Sequence, residues 1–210
     1  MEEYLVPTGF GEDEFIEKKS RFIGRIWPTD TEEEAQACIE KMRKQHYDAT
    51  HNVWAYIIKD GPVRFSDDGE PGGTAGMPTL LVLQKEHLYN VTCVVTRYFG
   101  GTLLGAGGLV RAYTKGAKIA VDAAGKSMKR IWTAMYLPVP YSWYDRVKLE
   151  IAAYEGIIRD TQFGADVELE VLFPEAQADP FLTRLTDLSS ATLDAMIIGQ
   201  EYRAFPLSNP

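Results

Sequence analysis

Apolar and polar residues alternate, cluster or recur with different periods along the chain, and the changes of period mark out its elements. The segment Lys18–Ile26, entered after turn signals at Gly9 and Gly11, reads as a strand. A helix follows, because Ala35, Cys38, Ile39, Met42 and His46 recur at helical spacing while Glu33, Glu40, Lys41 and Lys44 fill the opposite face. Asp30 with Glu33 and Thr31 with Glu34 offer overlapping capping boxes at its start. His51–Ile58 is rich in β-branched and aromatic residues and is closed by Asp60-Gly61-Pro62, which predicts a second strand. A glycine-rich stretch from Ser66 to Gly76 leads into a helix through Leu83, for which Thr74 is the expected cap. Val91–Tyr98 is the most strand-like run in the chain. Beyond a glycine-dense turn, a helix is predicted to about Ala124, its stripe of Ala112, Gly116, Ala117 and Ala120 suited to close packing.

The second half repeats a simpler rhythm. Met135–Tyr141 predicts a strand, and Ser142 with Asp145 predicts the capped start of a helix carrying Tyr144, Val147, Ile151 and Tyr154. Strands at Ile157–Phe163 and Asp166–Phe173 flank Gly164-Ala165. Asp179-Pro180 is expected to open a helix that turns Phe181, Leu182, Leu185 and Leu188 inward, and Leu193–Arg203 forms a last strand. The order is βαββαβ, the ferredoxin-like pattern of four antiparallel strands with two helices on one face. The expected organisation is therefore α+β with two domains, residues 1–133 and 134–210.

Composition narrows the function classes. The 210 residues are 45% hydrophobic and 25% charged, proportions of a globular protein rather than a disordered or fibrous one. No run reaches the roughly 20 apolar residues of a membrane span, and the acidic start Met1-Glu2-Glu3-Tyr4 lacks an apolar signal core, so a cytoplasmic protein without membrane contact is expected. Cys38 and Cys93 are isolated, which predicts neither a disulfide framework nor a zinc site. The net charge of -8 is unevenly spread: -1 over residues 1–133 and -7 over the rest. Arg111, Lys115, Lys118, Lys126, Lys129 and Arg130 face only Asp122 between them, so contact with a polyanion is expected there.

Two motifs carry candidate chemistry. In Arg97–Tyr113, the glycines Gly100, Gly101, Gly105, Gly107 and Gly108 lie between a strand and a helix, where bare N–H groups and the helix dipole can hold an anion. The motif is neither a Walker A loop nor a dinucleotide fingerprint, and the competing reading is that its glycines only let helix and strand approach. In Ser66–Gly76, three readings of the carboxylates Asp67, Asp68 and Glu70 are open: an ion-pair lock with Arg97 or Arg111, a Mg²⁺ site or acid–base pair of an enzyme acting on a phosphorylated or nucleotide substrate, or ordinary turn chemistry. His51 suits a general base or a loop-ordering residue, and Ser20, Ser66, Thr74 and Thr102 have no evident His/Asp partners. No catalytic residue, metal or cofactor is assigned.

Ser66-Asp-Asp-Gly-Glu-Pro-Gly-Gly-Thr-Ala-Gly76 and Arg97-Tyr-Phe-Gly-Gly-Thr-Leu-Leu-Gly-Ala-Gly-Gly-Leu-Val-Arg-Ala-Tyr113 resemble the signatures of the YigZ/IMPACT family. Lys19-Ser20-Arg21-Phe22-Ile23 and His51-Asn52 with Ala55-Tyr56 extend the likeness over about residues 15–125, and the acidic half resembles the C-terminal domain of the bacterial YigZ branch. Two departures stand out: Val53 where many members have cysteine, and Leu103 where some have lysine. The resemblance implies an N-terminal α/β domain like the second domain of ribosomal protein S5, then a ferredoxin-like domain, a pair similar to the two C-terminal domains of elongation factor G. Eukaryotic members regulate translation under amino-acid stress by competing for the co-activator of an initiation-factor kinase. The leading expectation for this chain is a non-catalytic binding protein whose first domain meets RNA, the ribosome or a translation-associated protein, and a monomer is expected.

Overall fold

The computed structural model describes residues 3–207. Among them the chain runs β1 (Tyr4–Pro7), β2 (Gly11–Glu17), β3 (Ser20–Pro28), α1 (Glu32–Gln45), β4 (His51–Ile57), β5 (Val63–Ser66), α2 (Gly76–Lys85), β6 (Val91–Tyr98), α3 (Ala106–Ala124), β7 (Lys126–Val139), α4 (Tyr141–Ala153), β8 (Ile157–Phe163), β9 (Val167–Pro174), α5 (Glu175–Ser189) and β10 (Met196–Pro206). Two compact units divide this α+β chain: Tyr4–Met128 with the stretch from Ala204, and Lys129–Arg203. The division falls inside β7, and β10 ends in the first unit.

The first unit is built on a sheet in the order β2-β3-β6-β4-β5, antiparallel at each junction. Its central strands are buried on both faces, which explains the unbroken apolar character of Val91–Tyr98. Val91, Cys93 and Val95 join Val53, Ala55 and Ile57 in the core beneath α2 and α3, with Leu83, Leu109, Ala112, Tyr113 and Ala117. Val94, Tyr56 and Ile58 face the other way, onto Ala35, Ile39 and Met42 of α1. Full burial in apolar surroundings pushes the Cys93 thiol up to about 12, so it is an inert core residue.

Small residues set the distance between sheet and helix. A Cβ at Gly24 of β3 would lie 1.9 Å from the Gly116 carbonyl oxygen of α3, and one at Gly116 would lie 2.8 Å from Val95 Cγ1. The stripe predicted on α3 is thus a backbone-on-backbone contact with the sheet. Thr31 caps α1 by accepting from the Glu34 N–H at 3.2 Å, while Glu34 reaches back to the Asp30 N–H at 2.7 Å.

Several expectations are corrected here. The strand predicted from Lys18 is the second arm of a β2–β3 hairpin in which Glu17 pairs with Ser20, and Lys18 and Lys19 form the two-residue turn at φ 45° and 67°. Such a turn normally takes Asn-Gly, and each non-glycine residue held there costs on the order of 1–2 kcal/mol. β2 is half acidic and β5 is exposed over three of its four residues, so neither shows an apolar alternation that sequence could register. Thr74 does not cap α2; its hydroxyl donates to the Pro71 carbonyl at 2.6 Å.

The second unit has the ferredoxin-like topology, with strands in the order β10-β7-β9-β8 and helices α4 and α5. Its core gathers Met135, Leu137 and Val139 of β7 with Val147, Ile151, Val171, Phe173, Phe181 and Leu185. Phe173 and Phe181 stack at 4.2 Å between centroids. Neither helix starts as expected. α4 begins at Tyr141 after Pro140 without a side-chain cap, and α5 begins at Glu175, placing Pro180 inside the helix, where it cannot donate to the Ala176 carbonyl. Because this core is complete within the unit, residues 129–203 expressed alone are expected to give a dispersed amide spectrum; a collapsed one would contradict the division.

Candidate functional site

The two motifs meet in the first unit, and they meet through buried charge. Glu70, at the end of the acidic loop, has a side chain only 3% exposed; Arg97, the penultimate residue of β6, is 5% exposed. Arg97 Nη1 donates to Glu70 Oε1 at 2.6 Å, and the Tyr113 hydroxyl of α3 donates to the same oxygen at 2.7 Å. Burial, then the adjoining Glu70 carboxylate, raise the Tyr113 hydroxyl pKa far above its ordinary value, so Tyr113 is a permanent donor. The guanidinium also lies over the Phe22 and Phe99 rings, each 5.4 Å away. Helix, strand and loop are tied at one carboxylate oxygen.

The remaining carboxylates are spent elsewhere. Asp67 accepts from the Gly73 N–H at 2.9 Å, from Ala75 at 3.0 Å and from Gly76 at 2.8 Å, performing the capping role expected of Thr74. Asp68 accepts from the Asn52 N–H at 2.6 Å and lies 3.7 Å from the Arg43 guanidinium. The three carboxylates therefore turn to three different sets of partners instead of converging on one point.

Burial works against the Asp67 charge, but the N–H donors of Gly73, Gly76 and Ala75 outweigh it and hold its pKa below the ordinary carboxylate value. A carboxyl depressed in the folded state adds stability above its unfolded pKa of about 4 and loses it as pH falls through the depressed value. Asp67→Asn is expected to cost about 1 kcal/mol at neutral pH, and melting temperatures of variant and parent should converge in acid. A gap unchanged down to pH ~3 would refute this role for the charge.

His51 opens β4 and is held by the acidic loop. Its Nδ1 lies 2.7 Å from the Asp68 carbonyl oxygen, which only accepts, so Nδ1 is the protonated nitrogen. Its Nε2 is thereby turned toward Glu70 Oε2, 3.8 Å away. Ser20 Oγ accepts from the Gly100 N–H at 3.2 Å and from Arg97 Nη2 at 3.4 Å, docking the β2–β3 turn on the glycine-rich loop. Gly100 has no alternative there, because a Cβ would stand 2.0 Å from the Lys19 carbonyl. Gly101 and Gly105 adopt φ of 82° and 73°, while Gly107 and Gly108 lie in the first turn of α3.

Between the two loops lies a cavity of about 380 Å³ with His51, Glu70 and Arg97 among its lining residues and Phe99, Leu103 and Leu109 among its apolar walls. On the other side of Leu104 is a smaller hollow of about 180 Å³ that holds Lys18, Arg111 and Lys115 with Glu17. Arg111 is thus apart from the carboxylates. Arg21 is also separate, hydrogen-bonded to Glu14 on the neighbouring strand.

The basic run does not act as a block. Lys118 pairs with Asp122 at 2.5 Å and Glu86 at 3.2 Å, Lys126 pairs with Glu86 at 2.8 Å, and Arg130 pairs with Glu155 at 2.8 Å. Sequence reasoning missed Lys18, which the hairpin turn brings to Arg111, and Tyr113, whose signal was its place on the inward stripe of α3.

Residues 18–121 match the model of the Impact N-terminal domain, and residues 137–192 match a domain of unknown function (DUF1949). The IMPACT family member YvyE of Bacillus subtilis is 37% identical over 196 residues, covering 92% of this chain and 90% of its own. The chain belongs to the IMPACT family. Another member, YigZ of Escherichia coli, is 36% identical over 94% of this chain and 99% of its own length. A crystal structure described as a hypothetical protein is similar over 95% of this chain and 98% of its own, with 36% identity and a TM-score of 0.60. Both IMPACT signature motifs lie within the matched N-terminal domain and supply the walls and charges of the cavity.

Proposed function

We propose that this IMPACT family protein is a cytoplasmic, monomeric, non-catalytic binding protein of the translation apparatus that meets RNA through its first unit. The observation that carries this reading is the division of labour among charges. The carboxylates of the acidic loop are consumed by Arg97, Tyr113, Arg43, Asn52 and backbone N–H groups, so the signature motifs build a rigid scaffold. Lys18 and Arg111, in contrast, have no carboxylate within 4 Å among the described residues and stand exposed beside each other. Family membership supports the link to translation, since the eukaryotic branch regulates it. No helix of the described residues is long and apolar enough to cross a membrane.

Purified protein and purified ribosomal subunits, sedimented together through sucrose, test this reading. Co-sedimentation at low salt that is lost as salt rises, and that fails with nuclease-digested subunits, is the expected result. Absence of any co-sedimentation at low salt overturns it.

A further inference from the structure

The hollow that holds Lys18, Arg111 and Lys115 shares the wall formed by Leu104 with the cavity above Arg97 and Glu70. One is small and holds three cations against the single carboxylate of Glu17. The other is mainly apolar, of a volume within the roughly 300–1,000 Å³ of small-ligand sites, with a few convergent polar groups at His51, Glu70 and Arg97. Phe99, a residue 45% exposed, lines the cavity. A ligand that fits both spaces has a flat ring with polar edges joined by a short link to an anion. We propose that these adjoining hollows take one unstacked nucleotide of single-stranded RNA, its base in the cavity against Phe99 and its phosphate among Lys18, Arg111 and Lys115.

A second observation, independent of the cavities, points to the same place. Lys18 and Lys19 hold left-handed backbone conformations at a turn that glycine or asparagine would make with less strain. The chain keeps lysine there and fixes the turn by the Ser20 bond to Gly100, with Gly100 bare so that the Lys19 backbone can approach. Backbone strain maintained by its surroundings clusters at binding sites, and here two adjacent residues carry it beside the hollow. The result of this strain is that Lys18 reaches Arg111 and Lys115 across from α3. Lys115 already lies over the Phe15 ring at 4.2 Å, which fixes its ammonium at the rim. Lys118, one turn further on, is neutralised by Asp122 and Glu86, so the positive field is confined to the hollow.

This inference rests on the RNA reading above and deepens it, and the experiment separates the two. Fluorescence anisotropy with labelled (rA)10 measures binding, and unlabelled inorganic polyphosphate serves as an anion without bases. Three phosphate-facing cations predict a log–log salt slope of about 2 for the parent protein, falling by about 0.7 in Arg111→Ala. Ala106→Trp, at an exposed first residue of α3 that lines the cavity, is expected to weaken (rA)10 several-fold and leave polyphosphate unchanged. Lys18→Gly is expected to weaken both ligands several-fold while raising the melting temperature, because glycine relieves the turn; a merely structural lysine would not show that opposition. Lys118→Ala should bind as the parent does.

Equal binding of (rA)10 by the parent, Ala106→Trp and Lys18→Gly, each folded by circular dichroism, overturns the nucleotide site and leaves ribosome co-sedimentation to judge the broader reading. If (rA)10 does not bind at low salt while subunits still co-sediment, the nucleotide site is equally overturned and a ribosomal protein surface becomes the contact.

Discussion

Glu70→Ala should remove about 3–5 kcal/mol from the first unit, the largest single loss expected in the molecule. The substitution leaves the Arg97 guanidinium buried with its 2.6 Å partner gone and deprives the Tyr113 hydroxyl of its acceptor. An uncompensated buried charge is the costly element, not the absent attraction. The double variant Glu70→Leu with Arg97→Met should therefore be markedly more stable than Glu70→Ala, since both charges leave together. Urea unfolding followed by the fluorescence of Trp27 and Trp54, the two tryptophans of the first unit, with Trp132 and Trp143 of the second replaced by phenylalanine, would report this; a loss below about 1 kcal/mol would mean the pair is solvated in solution and does not tie the loops.

Gly24→Ala should cost about 3 kcal/mol or more, by steric displacement instead of charge. A methyl 1.9 Å from the Gly116 carbonyl oxygen and 2.8 Å from its carbon cannot be accommodated by rotating a side chain, because both neighbours are backbone. β3 and α3 must separate, which loosens the Gly116 contact with Val95 as well. Gly9→Ala, with nothing within 4 Å of the added carbon, is the matched control and should change stability by less than about 0.5 kcal/mol. Equal melting temperatures for the two variants would refute the close approach.

What the sequence revealed depended on whether burial left a period in it. β6 is legible to the residue because both its faces are covered, and α3 is legible as an element because small residues recur on its inward face from Ala112 to Ala120. β5 and the acidic β2 lie open to solvent along most of their length, and no hydrophobic period marks them. The start of α2 is not legible because a distant side chain replaces the local cap: Asp67 reaches across its own loop to the N–H groups of Ala75 and Gly76, which no i to i+3 rule describes, while α4 and α5 start after Pro140 and Pro174 with no side-chain cap at all. The Glu70–Arg97 pair was foreseeable from charge, since carboxylates beside a glycine loop need partners. The Lys18–Arg111–Lys115 cluster was not, because it depends on a hairpin turn whose residues are the wrong ones for that turn.

The first unit draws its residues from both ends of the described chain. The Thr8 N–H donates to the Gly125 carbonyl at 3.1 Å, and the Leu207 N–H donates to the Lys126 carbonyl at 3.0 Å, so the sequence of the second unit is enclosed by that of the first. During synthesis, residues 204–207 leave the ribosome only after the whole second unit has been translated. The motif-bearing unit thus keeps an unfinished edge at Lys126 until its enclosed neighbour has been made, and a chain cut short between Lys129 and Arg203 carries both signature motifs but lacks the strand that closes this edge.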